Sequence, residues 1–285
     1  MSTKKNYKTG PVKSGKPEAL DKVVALEKLF HRSKERIKDL GEVFTPESYV
    51  EEMLDLLARD QRDLWSSEEI SFFEPCSGHG NIVIAIYKRR LEGIYKKATK
   101  QGLCKIKGAP FYAVANAINT LWAIDIDPKN IENCRSRVLV NTLGFLKRKL
   151  EAESDRALLS KNQKFFAHVL SALKWHIAEN ETLSALSSPA NAKSSAGLTK
   201  AGAKWFSQNG HHSLDFGLSW VNFYKSCEAS KTIPLEYERS LRFIKAIVSG
   251  RLRGFDDYEF AKAVIETKKS QDTTYEFGES FPVGA

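Results

Sequence analysis

Glu74, Gly78 and Gly80 lie within one short stretch, Phe73-Glu74-Pro75-Cys76-Ser77-Gly78-His79-Gly80-Asn81, and their types and spacing suit the binding of a small charged ligand. The acidic side chain closes an apolar run, Ile70, Phe72 and Phe73, that reads as a short buried strand, and Ile82 to Tyr87 read as the helix that follows. Glycine removes Cβ where the chain must turn tightly and where a ligand must approach the backbone. Strand, glycine turn and helix N-terminus together make a nucleotide-type pocket. A two-glycine turn can also simply turn the chain, so a second element matters. Leu121-Trp122-Ala123-Ile124-Asp125-Ile126-Asp127-Pro128 is another apolar strand ending in carboxylates. An acidic residue closing the second strand of a doubly wound sheet can hydrogen-bond the two ribose hydroxyls of a nucleoside. Asp127, followed by Pro128, suits the cap and first turn of a helix. The ligand is therefore assigned to Asp125 and the cap to Asp127.

These residues need a sheet to hold them, and the pattern around them predicts an α/β protein. Helical spacing of Leu20, Val23, Val24, Leu26, Leu29, Phe30 and Ile37 predicts a helix from about Pro17 to Leu40, ended by Gly41. Thr45 reads as the N-cap of the next helix, with Pro46 at its first position and Val50, Met53, Leu54 and Leu57 as its buried stripe. About fifty residues separate Glu74 from Asp125, against roughly thirty in a minimal βαβ unit. The surplus reads as an insertion after a long helix, made of the basic segment 88–107 and the apolar stretch Phe111 to Ala115. Helices are expected over 129–150, on the Ile131, Val138, Leu139 and Leu146 face, and over about 155–175. Ser184 to Lys204, mostly small and polar residues, reads as a mobile loop. An aromatic block follows, with Trp205, Phe206, Phe216, Trp220, Phe223 and Tyr224, then a helix over about 234–250 and another near 255–267.

The chain of 285 residues is long enough for one large domain, or one plus a small appendage. No apolar run approaches the ~20 residues that span a bilayer, and the lysine-rich N-terminus has no apolar stretch behind it to make a secretory signal. Cys76, Cys104, Cys134 and Cys227 are scattered, without metal-ligand spacing, which suits free thiols in a reducing compartment. No metal site is expected, and His211 and His212 read as loop residues. The net charge of +9 is unevenly placed. Residues 1–40 carry a surplus of six positive charges and residues 88–107 a surplus of seven, so the remainder nets −4. Charge concentrated in this way is the footprint of a polyanion binder. Lys88, Arg89, Arg90, Lys96, Lys97 and Lys100 are the candidate phosphate contacts, although lysine-rich segments also serve simply as solvated surface.

Three stretches resemble S-adenosylmethionine-dependent DNA adenine-N6 methyltransferases of the restriction–modification and phage type. Gly41-Glu42-Val43-Phe44-Thr45-Pro46, with Val50 and Met53 behind it, resembles their N-terminal motif. Glu74-Pro75-Cys76-Ser77-Gly78-His79-Gly80 resembles their glycine turn, and Ile124-Asp125-Ile126-Asp127-Pro128 their second-strand motif. The three occur in the family's order over residues 35–150. The resemblance implies a Rossmann-like class I methyltransferase sheet with helices on both faces, an N-terminal helical segment and a small C-terminal part. It divides the chain into a basic tail expected to be disordered (1–16), a cofactor-binding domain (17–186) carrying the basic insertion 88–107, and a mobile loop with a substrate-recognition part (187–285). Carried over, it implies that Thr45 helps close the S-adenosylmethionine pocket and that Glu74 lies near the methionine end. Gly78 and Gly80 would give backbone access, Asp125 would hold the ribose, Ile126 would pack on the adenine ring, and Glu181 would read the adenine amino group. The partner implied is DNA, with a restriction–modification subunit as a further one, and the location is the cytoplasm of a bacterial cell or phage-infected host.

One element of the pattern is missing. The family's chemistry rests on an Asn/Asp-Pro-Pro-Tyr/Phe loop that hydrogen-bonds and stacks on a flipped adenine, and this chain has no such tetrapeptide. The nearest candidate is Ser187-Ser188-Pro189-Ala190-Asn191, where Asn191 can accept a hydrogen bond but no neighbouring ring can stack. Trp205 and Phe206 either enter the site with the loop or belong to the core of the C-terminal part. The leading expectation is a divergent DNA adenine-N6 methyltransferase. The alternatives are a non-catalytic DNA-binding or anti-restriction protein on the same fold, and a methyltransferase of another substrate class.

Overall fold

The computed structural model describes residues 45–186 and 199–250; the expectations for 1–40, for 255–267 and for Asn191 lie outside them. Three short strands form one parallel sheet in the order β1 (Phe72–Glu74), β2 (Leu121–Asp125), β3 (Ile177–Glu179). Phe72 stands opposite Leu121, and Asp125 opposite Glu179. Leu121, Trp122, Ala123 and Ile124 are all buried. Since their side chains alternate across the sheet, both faces of the central strand are covered, as a parallel sheet requires.

The rest is helical. α1 (Glu47–Ala58) precedes the sheet, and α2 (Asn81–Gln101) and α3 (Ala109–Asn119) connect β1 to β2. α4 (Pro128–Leu150), α5 (Asp155–Lys161) and α6 (Gln163–His176) connect β2 to β3. The short α7 (Thr182–Leu186) follows, then α8 (Lys200–Asn209), α9 (Trp220–Ala229) and α10 (Leu235–Val248). Among the described residues no helix is long and apolar enough to cross a membrane.

Several expectations change in detail. The basic segment is not an insertion: α2 runs unbroken through Gln101, ended by Gly102 with φ +62°, and Phe111 to Ala115 form the middle of a second helix. Helix 155–175 is interrupted at Asn162, whose φ of −132° leaves the helical region. Pro46, with ψ of 147°, takes the N-cap position of α1 in place of Thr45, because its extended backbone is the last before the ladder and its carbonyl accepts the Val50 N–H at 3.1 Å. Only Val50 and Leu54 of that helix's expected stripe are buried; Met53 and Leu57 are exposed. Ser184–Leu186 and Lys200–Lys204 are helical rather than loop. Thr199 caps α8 by accepting the Gly202 N–H at 3.0 Å.

α2 and α4 run side by side in the same direction. Gly80 lies against Cys134, Tyr87 Oη is 2.6 Å from Thr142 Oγ1, and Lys149 Nζ reaches Glu92 at 3.1 Å. The sequence offset stays near 55 residues along the pair, so both helices carry their N-termini to the sheet's carboxyl edge and their C-termini away from it. Beyond residue 199 the chain adds to the core already formed. Trp220, Tyr237, Phe243, Ile244 and Ile247 join the buried cluster of α6, and Phe216 meets Phe73 and Trp122 edge-on at 4.9 and 5.4 Å.

His176 is the hinge of this packing. Its ring lies 4.3 Å from that of Trp122, and its Nε2 accepts the Trp220 N–H at 3.1 Å. Burial pushes it down to about 3, so it stays neutral in the fold. In the unfolded chain it titrates near its ordinary value of 6.5. The unfolded state then binds the extra proton, and stability present above that pH is lost as pH falls toward 3. Urea denaturation should show this group removing about 2 kcal/mol between pH 7 and pH 5. His168, half-buried and also pushed down by burial, acts in the same direction. The comparison is therefore with His176→Gln, whose loss over the same interval should be smaller by about that amount.

Candidate functional site

The three parallel strands end toward the same edge, with Asp125 opposite Glu179 and Glu74 two residues short of them, opposite Ala123. That carboxyl edge is where open α/β sheets bind ligands. The turn after β1 is fastened to the end of β2. Ser77 N–H donates to the Ile124 carbonyl at 2.8 Å, Gly78 N–H to Asp125 Oδ2 at 2.8 Å, and Gly80 N–H to the Ser77 carbonyl at 2.9 Å. Gly78 and Gly80 have φ of +51° and +97°, where a side chain is strained. A Cβ on Gly80 would also lie 2.7 Å from Cys134 Sγ. Glycine at 80 thus serves the close packing of the turn on α4, whereas backbone access was the expectation.

Asp125 is more committed than the sequence suggests. Oδ2 accepts from Gly78, while Oδ1 accepts the Asp127 N–H at 2.8 Å and Asn130 Nδ2 at 3.2 Å. The carboxylate expected to take two ribose hydroxyls already joins the turn, the strand end and α4. Asp127 does what was expected of it, accepting the Lys129 N–H at 2.9 Å as the cap of α4, with Pro128 in the first turn. Half-buried Ile126 lies between the two.

Glu74 is half-buried at the same edge. Burial pushes its carboxyl above the usual range; the Cys76 N–H, donated at 3.1 Å, partly offsets this, and nearby Asp125 pushes it up again. Such surroundings favour a positively charged ligand group. Thr45 is brought to the same place. Its carbonyl accepts Asn81 Nδ2 at 3.1 Å, and Asn81 Oδ1 accepts Arg137 Nη1 at 2.9 Å. Arg137 also donates to the His79 carbonyl at 2.9 Å, so one guanidinium braces the turn and the entry of α2.

The third strand, which the sequence pattern does not announce, brings Asn180, Glu181 and Thr182 to this edge. β3 is three residues long and follows α6 without a turn. Asn180 N–H donates to the Asp125 carbonyl at 3.1 Å, and Thr182 Oγ1 to the Pro75 carbonyl at 2.9 Å. Glu181 does reach this edge, where its Oε2 accepts the Ser184 N–H at 2.8 Å as part of the turn into α7. Trp205 is not available to stack on a base. It is buried, and its indole N–H donates to Glu179 Oε1 at 3.2 Å, which holds α8 against the end of β3.

The basic candidates separate sharply. Arg90 is fully buried and donates to the Leu64 carbonyl at 3.1 Å and to Thr120 Oγ1 at 2.7 Å, so it cannot reach a phosphate. Arg89 pairs with Glu51 and with Asp55, and Lys97 pairs with Glu68. Lys88, Lys96 and Lys100 remain exposed on the solvent face of α2. Compared with family models, with curated proteins and with solved structures, the chain matches none.

The Gly80–Cys134 contact is open to test. Gly80→Ala combines positive-φ strain with overlap on sulfur and should lower unfolding free energy by about 3 kcal/mol. Adding Cys134→Ala removes the overlap with sulfur and leaves the strain together with the 3.2 Å approach to Cβ. The double variant should recover about 1–2 kcal/mol relative to additivity, read from urea denaturation; strict additivity would mean the two do not touch.

Proposed function

We propose that this chain is a DNA methyltransferase that takes its methyl group from S-adenosylmethionine, of the adenine-N6 type. One observation carries the reading: a glycine turn pinned to Asp125 at the carboxyl edge of a parallel sheet, with Thr45 drawn to the start of the following helix. The order β3-β2-β1 is compatible with half of a Rossmann-like methyltransferase sheet. The cofactor would supply an electrophilic methyl carried by a sulfonium. The half-buried Glu74 beside Asp125 suits the cationic end of such a molecule. The Gly78 turn would place backbone against it, Ile126 would offer an apolar surface to the adenine, and Glu181 stands at the third strand's end. Asp125 acts first by holding Gly78 in place. Asn191 remains the candidate base contact, and the cytoplasm of a bacterial cell or phage-infected host the proposed location.

A second reading is a non-catalytic DNA-binding protein on the same fold, acting as a restriction–modification partner or decoy. The missing tetrapeptide and the commitment of Asp125 to protein donors favour it. The second reading dispenses with turnover whether or not cofactor binds, so binding and turnover are measured separately. Calorimetry should show saturable S-adenosylmethionine binding, weakened roughly ten- to a hundredfold by Glu74→Gln, which removes one charge-assisted contact. Asp125→Ala should lower the melting temperature together with affinity. No heat at millimolar cofactor would end the first reading and leave the non-catalytic one. N6-methyladenine in host DNA after expression, found by mass spectrometry and lost with Asn191→Ala, would decide for the enzyme.

A further inference from the structure

α2 and α4 start at the carboxyl edge and run away from it together; Lys129 is exposed in the first turn of α4 and Lys88 partway along α2, and five further exposed cations gather at the far ends. Lys96 and Lys100 are exposed on the last turns of α2, Lys105 and Lys107 follow in the short turn before α3, and Arg148 is exposed in the last turn of α4. Among the described residues none of these five is in an ion pair. By contrast, Lys147 is paired with Asp155 and Lys149 with Glu92. Glu151 and Glu153 are the exposed carboxylates nearest in sequence to Arg148. Cations in a helix's last turn also complement its dipole. That accounts for Lys100 and Arg148, but not for Lys105 and Lys107, which lie beyond α2. The helix rises about 1.5 Å per residue, so Lys96 and Lys100 lie about 22 and 28 Å along α2 from Asn81.

We propose that this far end is a phosphate-gripping surface for duplex DNA, an anchor physically separate from the carboxyl edge. The inference rests on the reading of the chain as a DNA-binding protein, but not on cofactor binding. Lys88, Lys96 and Lys100 recur on one side of α2 over about 18 Å of its length. A row of that length can follow several phosphates along a strand, whereas a membrane plane would meet only the exposed tip, Leu103 and Ile106. Duplex DNA rises about 3.4 Å per base pair. A duplex held at Lys100 must therefore continue for about eight base pairs before it comes level with the glycine turn. Anchoring and presentation of a base are then separate contacts.

The test is DNA binding by the full chain to mixed-sequence duplex across a salt series. Replacing Lys96, Lys100 and Lys107 together with glutamine should weaken binding to every sequence and reduce the log–log salt slope by about three units. Lys200→Gln with Lys204→Gln, on α8 whose Trp205 is tied to Glu179, should leave the slope unchanged. The reverse pattern would place the duplex over the carboxyl edge and overturn the proposal. So would wild-type binding insensitive to all five substitutions. If the wild-type chain binds no duplex even at low salt, the DNA reading itself fails. Co-sedimentation with phosphatidylserine vesicles that depends on Leu103 and Ile106, without a DNA complex, would assign the surface to a membrane instead.

Discussion

The Asp125 carboxylate is the constraint on which the rest of this edge depends. It accepts from the backbone of the glycine turn, from the residue that caps α4 and from a side chain in that helix's first turn. One charged group thus joins the turn after β1, 47 residues away in sequence, to the end of β2 and the start of α4. Charge-assisted hydrogen bonds of this kind each contribute about 1.5–3 kcal/mol, and one of them fixes Gly78 in its turn. The Asp125 carbonyl then receives the Asn180 N–H, so the third strand's exit is fixed by the same residue.

Around that clamp, each demand on local geometry is met by a specific neighbour. Gly80 has no side chain because Cys134 occupies the space. Burial pushes the Cys134 thiol up to about 12, which leaves a neutral, compact group against the turn. The parallel course of α2 and α4 carries this registration outward through Tyr87 and Thr142 to Glu92 and Lys149. The glycine turn at one end of the helix pair is thereby connected to a basic surface at the other.

Charge follows the same division. The basic run from Lys88 to Lys107 is continuous in sequence, yet helix geometry distributes it around α2. Arg90 turns inward to satisfy carbonyls and lies 5.4 Å over the Phe72 ring, and Arg89 ties α2 to α1. Only the residues on the remaining face meet solvent. Counting charges along the chain therefore overstates the number that a polyanion can touch.

Much of the scaffold was legible from residue types. Apolar runs ending in carboxylates marked β1 and β2, the Asp127–Pro128 pair marked the start of α4, and the stripe Ile131, Val138, Leu139 and Leu146 marked its buried face. These are local signals, because periodicity and capping act over a few residues. What only the tertiary structure decided is who meets whom. It placed Thr45 beside Asn81, made Asp125 a clamp between the turn and α4, buried Arg90, and bound Trp205 to Glu179. It also supplied β3, whose three residues carry too little pattern to announce a strand and exist as one because β2 offers an edge to pair with. Hydrogen bonds between residues distant in the chain leave no mark on local composition, so the residue types could be read in advance but their partners could not.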